Sequence, residues 1–524
     1  MGEDKTLRTE VLVIGCGIAG ASAALEAAKA GLDVTVIAKS EAVQESNTFY
    51  AQGGIVTLGP DDDPAILRED IIRTGDGLND PRAVDVLVRE CGHLVESLLI
   101  GELGIPFDHG SNGGLDYAHE AGHSRRRILH VEDTTGRTIE EHFVAALRRF
   151  PKITLLPAHT AVDLLTVPHH SRDPIAYYRE PRCIGAYVLD NATRRIKKIL
   201  APTTVLATGG CGAVFLNTSN PSSAIGAGYA MAHRAAARIV NMEYLQFHPT
   251  TLYHRDSDGF LISETVRGEG ARLKTLDGRT FMEKYSVRKD LAPRDEVARA
   301  IYEEMINGNA SHVLLDLASY AKIDVHKRFP HIARTCARYG IDIAKDPIPV
   351  VPAAHYCCGG VLVDEWGRTS LDGLVAVGEV SCTGLHGANR LASTSLLEGL
   401  VWGTRAARSI VDRFEKAFPY KDSDIHDWYY PAREEAIDPA LLNQDWLTIR
   451  STMWNYAGVL RRVKRLERAK SDLEYLRHRI EKFYREAAMD AALVGLRHGI
   501  EVALMIVHAA LANPVSAGAH FRVD

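Results

Sequence analysis

Residues 10–20 read EVLVIGCGIAG, and the chain continues as ASAALEAAKAG to residue 31 and DVTVIAK to residue 39. A continuous apolar run of buried-strand type passes into a glycine turn. An Ala-rich segment of helical character follows, ended by Gly31, and then a second apolar strand. This strand, turn, helix, strand order is the context in which G-x-G-x-x-G specifies a dinucleotide cradle. Gly15 permits the tight turn, Gly17 lets the backbone approach a pyrophosphate, and Gly20 lets helix and strand pack closely. The helix N-terminus adds unpaired N–H groups and the positive end of a dipole. The second strand ends in Lys39 rather than in the acid that grips a nicotinamide cofactor's ribose, which argues against NAD as the resident cofactor.

Working outward, TTVLATGGCG (203–212) and DGLVAVGEV (372–380) repeat the theme of a buried strand stopping at glycines. Their likeness across a long separation predicts one cofactor domain interrupted by an insert. At 524 residues the chain needs more than one core. Beyond residue 418, Leu460, Val463, Leu466, Leu473, Leu476, Ile480 and Phe483 recur mostly at three, four or seven, an amphipathic helix. A second apolar helix from Ala487 to Leu511 is expected to pair with it as an antiparallel hairpin. The charged run from Arg461 to Lys470 is expected to be the solvated face.

A net charge of −6 with no basic tail gives no general reason to expect nucleic acid or membrane as a partner. The N-terminal MGEDKTLRTE has no apolar leader, and apolar stretches are interrupted before spanning length, so a soluble cytoplasmic protein is expected. The 8 cysteines include no C-x-x-C pair, which excludes zinc knuckles and iron–sulfur clusters and leaves metal ligands at none. The adjacent Cys357 and Cys358 read as buried thiols.

NTFYAQGGI (47–55), taken with GCGIAG, ATGG and VGE, resembles the flavin-binding pattern of the succinate dehydrogenase, fumarate reductase and L-aspartate oxidase family. The resemblance extends through NMEYLQFHPT (241–250), RGEGARL (267–273), PRDEVARAI (293–301), PAAHYCCGGV (352–361) and GANRLASTSLLEGLV (387–401), nearly the whole chain. It implies an α/β fold: a discontinuous Rossmann-like FAD-binding domain (1–241 and 356–417), an inserted α+β capping domain (242–355) and a C-terminal helical domain (418–524). It assigns FAD contacts to Gly15, Gly17, Ile18, Ala19, Gly20, Lys39, Asn47, Thr48, Gln52, Gly53, Gly54, Gly209, Glu379, Ser395 and Leu396. Substrate contacts fall to His248, His355, Arg390 and Ser263. A dianion needs such charge-assisted donors in a site closed to water, although each of these residues alone is equally at home in a core.

Arg294 aligns with the family's proton-transfer arginine, with Glu264 and Arg267 as its relay. A guanidinium is a poor base in water, so its catalytic role rests on the resemblance. The family's flavin-tethering histidine aligns with Asn47, which cannot form the bond, so FAD is expected to be non-covalent. HEAGHSRRRILH (119–130) resembles the aspartate oxidase form, where the succinate enzymes carry an aromatic in place of Glu120. A carboxylate there repels a plain dicarboxylate and pairs with an α-ammonium group. The run Arg125–Arg127 reads as a cationic wall of the pocket or as a solvated loop.

The resemblance implies oxidation of L-aspartate to iminoaspartate with oxygen or fumarate as acceptor, feeding quinolinate and NAD synthesis, with quinolinate synthase a candidate partner. Monomer and homodimer both stay open. One alternative is a fumarate reductase or succinate dehydrogenase flavoprotein subunit that works with an iron–sulfur partner. Another is a flavin-depleted scaffold, prompted by Ala227 and Ala517, which replace an Asp and an Arg usual in the family.

Overall fold

The computed structural model describes residues 6–524 apart from 112, 121, 258, 416 and 432–434; the first five residues of the acidic N-terminal stretch thus lie outside the described residues. Strand Val11–Ile14 is buried along its whole length, as an apolar run flanked by helices on both faces must be. It lies in a five-stranded parallel sheet ordered Leu374–Ala376, Thr203–Leu206, Val11–Ile14, Val34–Ile37, Ile153–Leu156. The two distant glycine-ended strands are therefore neighbours, and all their turns open at one edge of the sheet.

Helix Ile18–Lys29 follows the first turn and packs against helix Thr394–Asp412. The crossing is close because of two glycines. A Cβ on Gly403 would lie 2.5 Å from the Ala19 carbonyl oxygen, and one on Gly399 would lie 2.9 Å from Ile18 Cγ2. This contact fixes the N-terminus of the second helix, just after Arg390 and Ser393, beside the glycine turn.

Between residues 245 and 357, strands Leu245–Leu252, Ile348–Cys357, Val313–Asp316 and Arg272–Lys274 form an antiparallel sheet in that order. Helix Arg294–Asn307 packs on it. Strand Ile348–Cys357 carries His355 near its end and runs without a break from this insert back toward the parallel sheet. Two of the three remaining sheets among the described residues carry residues next to the site, and neither had a counterpart in the sequence. One is a four-stranded sheet of Leu7–Arg8, Arg195–Leu200, Arg182–Asp190 and His159–Val167. The other is a short sheet of Ile55–Val56, Ile128–Leu129 and Tyr117–Ala118 that frames the loop carrying Glu120.

The C-terminal part holds helices Val463–Glu486 and Ala491–Ala512 packed together, and a third helix not expected from the sequence, Pro439–Ala457, lies against both. Leu466, Leu473, Leu476 and Ile480 are buried as the periodicity requires. Ala491–Ala512 is long and apolar enough to cross a membrane by composition, contrary to the expected interruption, yet 67% of its most apolar window is buried inside the protein.

Arg461 corrects the solvated-face reading: it is 0% exposed. Its guanidinium donates to the Glu243 carbonyl (2.7 Å) and meets His520 Nδ1 at 2.6 Å. It ties the chain's end to the start of the insert, and burial pushes its pKa down to about 10.

Candidate functional site

One cavity runs from the glycine turn to the inserted sheet, and every residue assigned to the site lines it except Gly20 and Arg267, which stand just behind its wall. At the glycine end, Gly15 has φ +107°, and a Cβ there would sit 2.2 Å from the Ala207 carbonyl oxygen. A Cβ on Gly20 would lie 2.2 Å from the Gly15 carbonyl oxygen, so helix and strand touch through bare backbone. Gly17 caps the helix, and the Ile18 N–H donates to Thr48 Oγ1 at 3.1 Å. The Lys39 amine lines the same end, its pKa lowered by burial. The N-terminus of helix Ile18–Lys29, with its unpaired N–H groups, is an anion cradle.

Toward the middle, Asn47 Nδ2 donates to Glu379 Oε2 (2.9 Å), and the Cys357 N–H donates to Glu379 Oε1 (3.0 Å). Burial nonetheless pushes Glu379 up to about 7. Asn47 Oδ1, Gln52 Oε1 and Thr208 Oγ1 are buried on this wall without a hydrogen-bond partner in the protein. Buried polar atoms that the chain leaves unsatisfied call for a polar group from outside it. With the anion cradle, they fit FAD. Ala227 presents only a methyl to the cavity. Gly209 turns at φ +69°, and Ser395 and Leu396 face the cavity from the first turn of helix Thr394–Asp412.

At the other end stand three arginines, Arg267 and Arg390 buried and Arg294 partly so. Arg294 begins helix Arg294–Asn307, and its Nη2 pairs with Glu264 Oε2 at 2.9 Å. Glu264 Oε1 pairs with Arg267 Nη2 at 2.8 Å. Burial opposes ionisation of Glu264, but Arg294 and Arg267 outweigh it and hold the carboxyl below its ordinary range. Burial and the Arg294 charge lower the pKa of Arg390, which lies 4.6 Å from the Tyr356 ring centroid. Among the described residues no carboxylate lies within ion-pair distance of Arg390. Gln246 Oε1 accepts from Arg294 Nη1 (3.4 Å) and Arg390 Nη2 (3.3 Å), spacing the two cations. Glu264, even with Glu120 nearby, cannot balance three guanidiniums, and buried charge without a partner is costly. The site therefore demands an anionic ligand.

His248 and His355 sit on neighbouring strands of the inserted sheet. Burial, then nearby arginines, holds both pKa values well below the ordinary histidine value. The Thr250 N–H donates to His248 Nδ1 (3.2 Å), so the neutral ring carries its proton on Nε2. Ser219 Oγ lies 2.7 Å from His355 Nδ1. Both rings are neutral, and His248 Nε2 is a donor. Ser263 lines the cavity with its hydroxyl 3.1 Å from Thr265 Oγ1.

Glu120 faces this cationic end. Its Oε2 accepts from Ser393 Oγ at 2.6 Å, and its Oε1 is close enough to Gly53 that a Cβ there would lie 2.8 Å away. Burial raises the pKa of Glu120 against the Ser393 hydrogen bond and the pull of Arg294 and Arg390. Gly54 N–H also donates to Ser393 Oγ (3.3 Å), so Ser393, in a left-handed conformation at φ +56°, joins the flavin-pattern loop to Glu120.

Sequence reasoning missed Ser393, Gln246, Ser219 and Tyr356. All but Ser219 lie inside the quoted motifs, so the signal was present without a role attached to it. The Arg125–Arg127 run forms no cavity wall: Arg125 and Arg126 are exposed, and Arg127 is buried against Asp62 and Asp70. Cys357 and Cys358 are buried free thiols.

A family model described as FAD binding domain matches residues 10–396, and one described as fumarate reductase flavoprotein C-term matches 447–524. The chain is 43% identical to L-aspartate oxidase 1 of Ralstonia nicotianae, over 98% of this chain and 95% of that protein. It is 42% identical to L-aspartate oxidase of Halobacterium salinarum, over 98% and 96%. Among solved structures, E. coli quinol fumarate reductase FrdA superposes with TM-score 0.89 at 28% identity, covering 99% of this chain and 92% of that one. Mycobacterium smegmatis Sdh1 gives 0.82 at 29%, covering 99% and 89%.

Proposed function

Because the chain belongs to the L-aspartate oxidases within the succinate dehydrogenase and fumarate reductase flavoprotein family, we propose that it oxidises L-aspartate to iminoaspartate. Its cofactor is FAD, which supplies the two-electron oxidant. The observation that carries the substrate is the carboxylate of Glu120, which lines the cavity near Arg294 and Arg390 without an ion pair among the described residues, whereas Glu264 is held in ion pairs with Arg294 and Arg267.

Arg390, with His248 as a neutral donor and the uncharged ring of His355 beside it, grips the carboxylates of the substrate, and Arg294 holds it against the cofactor end. Water kept out of this pocket strengthens each contact. Glu120 pairs with the α-ammonium. Its raised pKa suits it to take the proton the nitrogen must lose before oxidation. Arg294, fixed by Glu264 and through it by Arg267, orients the substrate and stabilises charge. Asn47 offers no ring nitrogen for a flavin tether and is engaged with Glu379, so the cofactor is held non-covalently.

Oxygen or fumarate is the proposed acceptor. The proposed place is the first step of quinolinate and NAD synthesis in the cytoplasm, in keeping with eight unpaired buried cysteines. A quinolinate synthase partner rests on that pathway position. The likeness to fumarate reductase favours a second reading, a flavoprotein subunit acting on plain dicarboxylates. Glu120 stands against it.

Anaerobic titration of the yellow protein decides between them. L-Aspartate should bleach the flavin absorbance while succinate and D-aspartate leave it, and acid should release the flavin. Bleaching by succinate alone would overturn the proposal.

A further inference from the structure

The loop that carries Glu120 is anchored, behind the cavity wall, by charge that the reaction does not use. Strands Tyr117–Ala118 and Ile128–Leu129 bring its two ends together, and the Arg127 N–H donates to the Ala118 carbonyl at 3.2 Å. The Arg127 side chain, 0% exposed, makes a two-pronged pair with Asp62 (Nε to Oδ2 2.7 Å, Nη2 to Oδ1 2.9 Å) and donates from Nη1 to Asp70 Oδ2 at 2.8 Å.

Asp70 lies on helix Pro64–Thr74 and is itself 0% exposed. It accepts from the Ser124 N–H (2.8 Å) and from Ser124 Oγ (2.6 Å), and pairs with Arg73. One residue earlier, His123 Nε2 meets the Ala392 carbonyl at 3.0 Å, next to Ser393, the partner of Glu120. The loop is thus pinned on one side to Asp70 and on the other to the segment that presents Ser393.

Burying two aspartates and an arginine seldom adds net stability, since desolvation offsets the attraction; what such a network does provide is a fixed geometry. We propose that Asp70, acting through Ser124 and Arg127, is a positioning residue for Glu120, and so sets the preference for a dicarboxylate bearing a cationic nitrogen. The proposal rests on Glu120 pairing with the substrate ammonium.

The test compares FAD-loaded wild-type protein with Asp70→Asn, Glu120→Gln and the double variant. It measures the KM of L-aspartate and the inhibition constant of succinate, which has no nitrogen. Asp70→Asn should raise the aspartate KM about tenfold or more, while the succinate constant stays within about twofold. The double variant should shift no further than Glu120→Gln alone.

Equal shifts for both ligands, no shift, or additive effects in the double variant would overturn the role of Asp70. If Glu120→Gln itself leaves the aspartate-to-succinate ratio unchanged, the amine-pairing reading falls, and this proposal falls with it. Should Asp70→Asn fail to fold, Ser124→Ala removes one of the same hydrogen bonds without disturbing the ion pairs. A selective rise in the aspartate KM then supports the role, and an unchanged ratio overturns it.

Discussion

The rings of His248 and His355 meet edge to face, with centroids 5.3 Å apart and planes inclined at 63°. Two imidazoles so close, beside Arg294 and Arg390, cannot both carry charge, and burial holds each well below its ordinary pKa. Histidine protonation should therefore contribute no step near about pH 6.5 to succinate binding, followed by its perturbation of the flavin spectrum; the carboxyls of Glu379, at about 7, and Glu120, raised by burial, are left to titrate in that range. A loss of affinity with a midpoint near about pH 6.5 that His248→Gln or His355→Gln abolishes would show that a histidinium is the anchor instead.

The same physics governs acid stability. Nine histidines have pKa values lowered by burial, His123 and His170 to about 4 and His498 to about 3 among them. A folded pKa below the unfolded one means that the unfolded chain binds more protons, so this stability is present above about pH 6.5 and is lost as pH falls toward the folded values. Among the described residues, five carboxyls with raised pKa values act in the opposite sense but are fewer. Calorimetry should find Tm lower at pH 5 than at pH 7 by about 5 °C or more. A flat or inverted profile contradicts the burial argument.

Glu120→Gln keeps the shape of the side chain and removes its charge. Losing one charge-assisted hydrogen bond costs about 1.5–3 kcal/mol, or roughly 10–150-fold in the L-aspartate KM. Steady-state kinetics on the loaded enzyme reads this directly. An unchanged KM places the ammonium elsewhere.

Arg294→Lys retains a positive charge and loses the planar fork that meets Glu264 and Gln246 together. Turnover should fall by about 100-fold or more with flavin content unchanged. Stopped-flow flavin reduction separates this from slow release of product. Near-normal reduction would reduce Arg294 to a replaceable cation.

Gly20→Ala places a methyl 2.2 Å from the Gly15 carbonyl oxygen, inside contact distance. The turn must shift at a cost of about 1–3 kcal/mol, and FAD affinity measured by fluorescence quenching should weaken by about tenfold or more. Wild-type affinity would mean that the turn yields without disturbing the cradle.

The local elements were legible because their physics is local. Strand, glycine turn and helix at residues 11–29 follow from an apolar run, three glycines and alanine, and the amphipathic period of Val463–Glu486 fixes which face is buried. Glycine spacing and family motifs singled out the residues of the cavity wall one by one. Asn47, a residue type without a tethering nitrogen, spoke for itself.

What tertiary structure alone decided was partnership. Nothing near Arg127 in sequence says that it is buried against Asp62 and Asp70 rather than lining the pocket, nor that Arg461 leaves the solvated face to meet Glu243 and His520. Ser393 meets Glu120 across 273 residues of chain. Charge and hydrogen bonding act through space at about 3 Å, and only the fold determines which polar groups distant along the chain come that close.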